Sequence, residues 1–104
     1  MACYFFVNIA IHDPAEYDRY LARAGEVFSR HGGRYLAVDS APARVEGEWP
    51  YSRAVLIEFP DEASFAEWYH SPEYQEILRH RLSAAQCDAI LVHGKQSSGQ
   101  AGVD

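Results

Sequence analysis

The residues best suited to chemistry are concentrated in one short segment, EGEWPYSR at 46–53, which directly precedes the apolar run AVLIEF. The segment carries Trp49, Tyr51 and Arg53 beside two glutamates. Such a loop either walls a ligand pocket, with Arg53 available to an anionic group, or covers the edge of a sheet with Trp49. Trp49 and Arg53 are therefore candidate ligand-binding residues.

The geometry of this segment supports two further expectations. Pro50 biases the preceding Trp49 toward extended backbone, so we expect the indole ring to have one fixed orientation and to be substantially buried. We expect Arg53 to pair with an acid. Glu46, across the predicted hairpin, is preferred to Glu58, because Arg53 and Glu58 point to opposite faces of one strand.

A second candidate group lies within the strand itself. Glu58 shares its face with Asn8 on a neighbouring predicted strand, and a carboxylate buried there needs a partner such as Arg34 or Arg53. One reading is a structural ion pair inside an interface. The other is a pocket in which Glu58 has a raised pKa and acts as acid or base, with Asn8 and Arg34 binding the ligand.

Tyrosines on the predicted helices give a third set of candidates. Tyr17, Tyr20, Tyr69 and Tyr74 lie on helix faces directed at the sheet. Most tyrosines so placed are core residues whose hydroxyl finds a backbone partner. Tyr17 and Tyr69 are also candidate catalytic residues, as hydrogen-bond donors to a small ligand between helix and sheet.

The histidines do not indicate a metal site. The chain has five of them, and no pair has the i, i+4 spacing of a helical metal site. There is no nucleophile elbow, P-loop or dinucleotide fingerprint. We expect neither a metal nor a cofactor, although small barrels bind haem or flavin with few signature residues and spacing alone leaves those two open.

Composition restricts the class of protein. A chain of 104 residues predicts one domain, and 48% hydrophobic residues are typical of a globular one. A net charge of −6 without a basic stripe argues against nucleic acid and anionic membranes. No apolar run approaches the ~20 residues of a membrane span, and no signal peptide is evident. With two cysteines and no C-x-x-C motif, we expect free thiols in the cytoplasm.

The order of predicted elements is β-α-β-β-α-β, with the second helix broken at Ser71-Pro72. Strands are expected at 3–11, 34–39, 53–59 and 86–94, with a short extension or edge strand at 43–47. Helices are expected at 14–31 and across 61–85, capped by Asp13, Asp61 and Ser71. The domain then spans 1–94, and the tail at 95–104 lacks periodicity and is predicted to be disordered.

This order is the split βαβ pattern of a ferredoxin-like subunit. It is an α+β fold with a four-stranded antiparallel sheet and both helices on one face. Right-handed crossovers are expected to bring strands one and three side by side, in parallel. Strands one and four are antiparallel, so Cys3 and Cys87 lie at opposite ends, roughly 20 Å apart and too far for a disulfide.

Strand alternation predicts two apolar faces. Phe5, Val7 and Ile9 should meet the helices, while Tyr4 and Phe6 point the other way, too apolar for water. The simplest closure is a second copy packed sheet on sheet, so we expect a homodimer.

Four segments in order resemble the domain of unknown function 1330 family: DPAEYDRY at 13–20, HGGRYL at 31–36, EGEWPYSRAVLIEFP at 46–60 and WYHSPEYQ at 68–75. The resemblance covers about residues 4–94. It implies a ferredoxin-like subunit and a dimeric α/β barrel, and it implies no reaction. The wider barrel group includes monooxygenases, isomerases and cyclases, a likeness of fold that does not choose among them.

The sequence therefore predicts a cytoplasmic homodimer with a small-molecule pocket in each subunit. One hypothesis is a cofactor-independent acid–base enzyme, isomerase-, cyclase- or monooxygenase-like, that uses Glu58 or a tyrosine with Arg34 or Arg53 as anion partner. A second is a non-catalytic binding or regulatory protein that uses the same pocket. A third is an interaction module without a pocket.

Overall fold

The computed structural model describes residues 1–95. Its elements follow the predicted order, with the second helical region divided in two. They are β1 (Cys3–Ile11), α1 (Pro14–Ser29), β2 (Arg34–Asp39), β3 (Arg53–Phe59), α2 (Glu62–Tyr69), α3 (Pro72–Ala84) and β4 (Ala85–His93).

The three helices begin where the capping residues predict. The Asp13 carboxylate accepts a hydrogen bond from the backbone of the third helical residue of α1. Asp61 and Ser71 do the same for α2 and α3. Each cap satisfies a backbone N–H that has no partner inside the helix, and this fixes where the chain turns back onto the sheet.

Two glycines return the chain from α1 to β2. Gly32 has a φ of +82°, a left-handed conformation that L side chains rarely adopt. At Gly33 a Cβ would lie 2.6 Å from the ring of Phe28 and 2.8 Å from that of Phe59. A side chain at Gly33 would therefore push β2 away from the core.

The four strands form one sheet in the order β2-β3-β1-β4. Strands β1 and β3 are neighbours, as predicted, but they are antiparallel, so the expectation of a parallel pair is wrong. The reason is the hairpin. The crossover helix makes β1 and β2 parallel, and the reversal after β2 then brings β3 back in the opposite direction between them.

Alternation along the strands separates a helix-facing side from an open face. The predicted inward residues of β1 and β3 are buried under the helices, together with helix residues such as Tyr17 and Phe28. The helical spacing of Tyr74, Ile77, Leu78 and Leu82 predicts one buried side of α3, but Leu82 is 60% exposed. Its place in the buried stripe is taken by Arg81, which lies seven residues, two helical turns, after Tyr74.

The segment between β2 and β3 is irregular. The short strand expected at 43–47 is absent from the described structure, which assigns no strand between Asp39 and Arg53. Pro42 contributes no N–H to a ladder, and Gly47 has a φ of +76°. The segment instead crosses one part of the open face as a loop.

The cysteines lie as predicted. Cys3 is opposite His93 and Cys87 is opposite Ile9 in the β1–β4 ladder, so they occupy opposite ends, and both are free. The predicted disordered tail lies outside the described residues apart from Lys95. Among the described residues, no helix is long and apolar enough to span a membrane.

Candidate functional site

A pocket lies between helices α1 and α3 and the inward side of the sheet. We call it the inner pocket. Its free volume is about 10 Å³, room for about one water with the side chains as they stand. It is lined by Phe5, Val7, Ile9, Tyr17, Tyr20, Leu21, Tyr35, Arg53, Val55, Ile57 and Arg81.

The polar side chains of the inner pocket can all donate hydrogen bonds. Two arginines and three tyrosines line it, and none of its lining residues, all within the described chain, is an acid or a histidine. Burial raises the pKa of Tyr17, Tyr20 and Tyr35, so these phenols keep their protons at neutral pH. The pocket is therefore an apolar chamber with a positive, proton-rich lining.

Arg81 is the most deeply buried of these groups, with 3% of its surface exposed. Its guanidinium lies 5.6 Å from the ring centroid of Tyr20, and one Nη donates a long 3.4 Å hydrogen bond to the hydroxyl of Tyr74. Its Nε is buried without a partner. Within residues 1–95 no salt bridge joins Arg81 to an acid.

The two tyrosines around Arg81 do not neutralise it. The hydroxyls of Tyr20 and Tyr74 lie 2.8 Å apart and share a hydrogen bond. Burial raises the pKa of Tyr74 although Arg81 acts in the opposite direction, and burial followed by Tyr74 raises that of Tyr20. Burial tends to lower the pKa of Arg81, but these hydroxyl oxygens outweigh it and hold the pKa above its ordinary value. The site thus carries a whole positive charge.

Arg53 approaches the inner pocket from the start of β3. Its guanidinium lies 5.6 Å from the centroid of the Tyr17 ring, and one Nη donates to the Ser40 hydroxyl at 2.9 Å. Its Nε is buried without a partner. The expectation that Arg53 pairs with Glu46 or Glu58 is wrong, because Arg53 points to the helix side whereas Glu58 points to the open face and is held there by Arg34.

Two lining residues also reach the surface. Tyr35 is 42% exposed and Leu21 is 36% exposed. The Tyr35 ring packs edge-on against Phe28 at 4.6 Å. Both side chains therefore connect the lining of the inner pocket with the protein surface.

The open face of the sheet carries the other candidates. It consists of the outward residues of the three strands β1, β3 and β4: Tyr4, Phe6, Asn8, Ala10, Ala54, Leu56, Glu58, Gln86, Asp88, Ile90 and Val92. Arg34 and Glu58 form a 2.6 Å ion pair there, with 70% and 22% of their side chains exposed. Of the two partners expected for Glu58, Arg34 is the one observed.

The loop from the opening segment folds over part of this face. Trp49 is half-buried, less than the substantial burial expected, and packs edge-on against Tyr51 at 5.3 Å. The Tyr51 hydroxyl donates to the Asp88 carboxylate on β4. A recess of about 360 Å³ lies under the loop, lined by Phe6, Pro42, Ala43, Arg44, Val45, Glu46, Trp49 and Ala54. We call it the loop recess.

The predicted site residues thus fall into separate places. Tyr17 and Arg53 meet in the inner pocket. Trp49 lines the loop recess, and Asn8 lies beside it on the strand, directly opposite Ala54. Trp49 Nε1 and Asn8 Oδ1 are both buried without a partner.

Tyr69 belongs to neither place. It packs in an aromatic cluster on α2, stacked on Phe65 at 5.6 Å and 6.0 Å from the ring of Phe5. In the described residues no group of three or more histidine, cysteine or acidic side chains could hold a metal ion.

The comparison with known families settles which one the sequence represents. The sequence profile of the domain of unknown function DUF1330 matches residues 2–95, nearly the whole chain. The chain belongs to the DUF1330 family. No curated protein is similar enough in sequence to count as a match to this DUF1330 chain.

Solved structures show the fold that this DUF1330 protein shares. A protein of unknown function from Rhodopseudomonas palustris is similar with a TM-score of 0.74 at 21% identity, over 92% of this chain and 84% of that one. SnoaB, a cofactor-independent oxygenase from Streptomyces nogalater, is similar with a TM-score of 0.68 at 17% identity, over 94% and 97%.

A third similar structure is that of a dimeric protein. A dimeric ferredoxin-like protein of unknown function from Jannaschia is similar with a TM-score of 0.63 at 13% identity, over 90% of this chain and 100% of that one. Identities this low establish the fold alone. The DUF1330 chain thus has an α+β, ferredoxin-like fold, which these structures share.

Sequence reasoning missed the central residue of the inner pocket in this DUF1330 protein. Arg81 was not a candidate, although a signal was present. Tyr74, Ile77, Leu78 and Arg81 follow i, i+3, i+4, i+7 spacing, so the apolar stripe of α3 ends on a cation. Leu82 was taken as the buried residue of that turn because it is apolar, so Arg81 was not considered as a buried residue.

Proposed function

We propose that this protein is a cytoplasmic homodimer that binds a small organic molecule in the inner pocket of each subunit. We further propose that it catalyses a cofactor-independent proton-transfer reaction there, of the isomerase, cyclase or monooxygenase-like kind. The observation that carries the proposal is the lining of the inner pocket, where two tyrosines, Tyr17 and Tyr20, and two arginines with buried, unpartnered Nε atoms, Arg53 and Arg81, stand among apolar side chains. A few converging polar groups in an apolar pocket are typical of ligand sites.

The lining fits reactions in which negative charge develops on a substrate oxygen. When a C–H beside a carbonyl loses its proton to a water molecule, the charge moves to the oxygen, and fixed donors in an apolar site stabilise that charge strongly. Arg81 and Arg53 are always protonated, and Tyr17 keeps its proton, so each can donate to the oxygen. We assign Tyr17 the role of proton donor, with Arg53 beside its ring.

The likeness to SnoaB, a cofactor-independent oxygenase, supports a reaction that needs no bound cofactor. The dimer is supported by the open face, where Tyr4, Phe6 and Leu56 are only half-buried and Ile90 is 59% exposed. A similar structure is a dimer. The two free cysteines fit the reducing cytoplasm.

A non-catalytic ligand-binding or regulatory protein is the second candidate. The absence of an acid or histidine from the lining residues of the inner pocket favours it, because the described lining has no obvious general base.

Proton exchange in D₂O tests the proposal and separates the two candidates. The probe is 2-tetralone, whose C–H protons beside the carbonyl exchange slowly on their own. An enzyme of the proposed kind accelerates that exchange, and Tyr17→Phe slows it by about 100-fold while binding persists. Tyr69→Phe, in the aromatic cluster, is the matched control and leaves the rate unchanged.

Binding without faster exchange would support the non-catalytic candidate. Chemical shifts of the Val7, Ile9, Val55 and Ile57 methyl groups report on occupancy. If 2-tetralone and its hydroxylated analogues leave all four methyl signals in place, the inner pocket is a packing feature and the proposal is wrong.

A further inference from the structure

Arg81 is a buried charge for which the described protein supplies no counter-charge. It is 3% exposed, its Nε has no partner, and its one hydrogen bond to Tyr74 is long at 3.4 Å. Removing a guanidinium from water is unfavourable unless an anion or several good hydrogen bonds replace the lost hydration. A single weak bond and one aromatic ring replace little of it.

A merely structural arginine would be placed differently. The long side chain of arginine ordinarily lies along apolar surface and keeps its charged end in water. The other arginines that form ion pairs here do so at the surface: Arg19 with Glu16, Arg30 with Glu73, and Arg34 with Glu58. Arg81 has no such partner and no route to water along its own helix face, because that face is the buried one.

In the proposed dimer, a second subunit would not supply the missing charge. The proposed dimer closes over the open face, and the inner pocket lies on the other side of the same sheet, under α1 and α3. The backbone of β1 and β3 lies between the open face and the inner pocket. An anion that meets Arg81 must therefore come from solvent through the side guarded by Tyr35 and Leu21.

We infer that the inner pocket takes a small organic anion with an apolar ring or chain, its charged oxygen placed against the unpartnered Nε of Arg81. This inference rests on the proposed function and specifies the class of its ligand. Arg53, whose Nε is also buried and unpartnered, lines the same pocket and supplies a second cationic donor. The apolar body of the ligand lies among Val7, Ile9, Val55 and Ile57.

The chemistry fits two kinds of anion that share one feature, a negative oxygen on a planar group. One is a carboxylate, which accepts two parallel hydrogen bonds from a guanidinium. The other is the conjugate base of an acidic enol, which is charged before it enters and so needs no base in the pocket. Tyr17 supports both, since it lines the pocket and burial raises the pKa of its hydroxyl, which keeps its proton as a donor.

Entry of such a ligand requires the pocket to open. The free volume of about 10 Å³ admits a water and not a ring. Tyr35 is 42% exposed, and its ring packs edge-on against Phe28. We therefore expect Tyr35 to rotate outward on binding.

Calorimetric titration with matched probes tests the inference. The probes are benzoate, the enolate-forming 1,3-cyclohexanedione, and neutral benzamide, which keeps the shape of benzoate without its charge. Wild-type protein should bind benzoate or the dione about tenfold or more tightly than benzamide. Whichever anion binds more tightly identifies the class.

Arg81→Met removes the charge and keeps the apolar length, and should weaken anion binding by about 10- to 100-fold while benzamide binding changes little. Arg79→Met, two residues away on the exposed side of α3, is the matched control and should bind as wild type does. A thermal shift of wild-type protein, larger with benzoate than with benzamide, supplies the same answer without any variant that must fold.

The outcomes distinguish this inference from the proposed function. If benzamide and benzoate bind equally and Arg81→Met affects neither, the pocket is real but the anion site is wrong. If the anions bind and Arg79→Met abolishes binding as strongly as Arg81→Met, the ligand sits on the helix surface and the inference is wrong. If no probe shifts the four methyl signals of the pocket, both proposals fail together.

Discussion

The two sides of the sheet satisfy their polar groups in different ways. On the open face, Glu58 is paired with Arg34 at 2.6 Å and Asp88 accepts from Tyr51. On the helix side, Arg53 and Arg81 line the inner pocket, and neither forms an ion pair with an acid in residues 1–95. One sheet thus carries paired charges on its exposed side and uncompensated cations on its buried side.

This contrast separates polar groups that are paired within the protein from polar groups that have no partner in the described residues. Two uncharged polar atoms near the open face, Asn8 Oδ1 and Trp49 Nε1, are buried without a hydrogen-bond partner, and a second copy can cover the surface beside them. The unpartnered groups of the inner pocket, Arg53 Nε and Arg81 Nε, belong to positively charged side chains on the helix side of the sheet. Assembly can satisfy the first set, whereas only water or a ligand can reach the second.

The largest effect is expected from a charge placed in the middle of the open face. Leu56→Arg adds a guanidinium to the proposed interface and removes an apolar contact, which together should cost at least ~3 kcal/mol of association, about 100-fold in Kd. Sedimentation at micromolar concentration should show wild type at about twice the 11.7 kDa chain mass and the variant at one chain mass.

Leu82→Arg is the control for that change, since Leu82 is 60% exposed on α3 and lies away from the sheet. It should leave the dimer intact. A wild-type chain that sediments as a monomer, or a Leu56→Arg dimer as tight as wild type, would contradict the proposed closure of the open face.

A smaller effect, of unusual sign, is expected for the stability of ligand-free protein. Replacing Arg81 by Met removes an unpaired buried charge and keeps apolar volume, so the free energy of unfolding should rise by about 1 kcal/mol. For a domain of this size that corresponds to about 4–8 °C in Tm. Thermal unfolding monitored by circular dichroism measures it, and a loss of several degrees would show that Arg81 stabilises the fold.

The ion pair of the open face should matter less. Arg34 is 70% exposed and Glu58 is 22% exposed, so solvent screens their attraction. A double-mutant cycle on Arg34→Gln and Glu58→Gln should give a coupling of about 0.5 kcal/mol in urea unfolding. A coupling of several kcal/mol would mean that the dimer buries the pair, and would make it part of the interface.

The smallest effect concerns a contact between α1 and α3. The hydrogen bond from His80, and then that from Arg19, lowers the pKa of Glu16 below its ordinary 4.5. A lowered carboxyl pKa stabilises the fold above 4.5, and this contribution is lost as pH falls through the folded-state value. Glu16→Gln should therefore melt slightly below wild type at pH 7 and equally at strongly acid pH. A difference that persists at acid pH would assign the effect to packing.

The fold followed closely from local signals. Asp13, Asp61 and Ser71 marked the helix starts, and strand alternation placed Phe5, Val7 and Ile9 on the helix side. The direction of β3 was mistaken, because strand adjacency was inferred from the crossover without following the hairpin reversal. The expected strand at 43–47 was also mistaken, because this run stays exposed, with Val45 91% exposed, and Gly47 adopts a φ of +76°.

The candidate site was less predictable. Tyr17 and Arg53 were named and do meet, but their meeting depends on which strands are neighbours and on the packing of α1. The Arg53 partner was inferred along the chain, whereas the contact with Ser40 depends on the path of the loop. Arg81 was missed because arginine is ordinarily expected at the protein surface. Only the packing of α3 on the sheet shows that Arg81, and not Leu82, lies in the buried stripe.

The most direct test of the anion site in the inner pocket is the NMR signal of the Arg81 Nε–H group. Without ligand this group is buried and has no hydrogen-bond acceptor. On addition of benzoate, we expect a downfield shift of the Arg81 Hε signal and slower exchange with water, with no such change for benzamide or for Arg79. An Arg81 Hε signal that stays in place at saturating benzoate would show that Arg81 does not bind the anion.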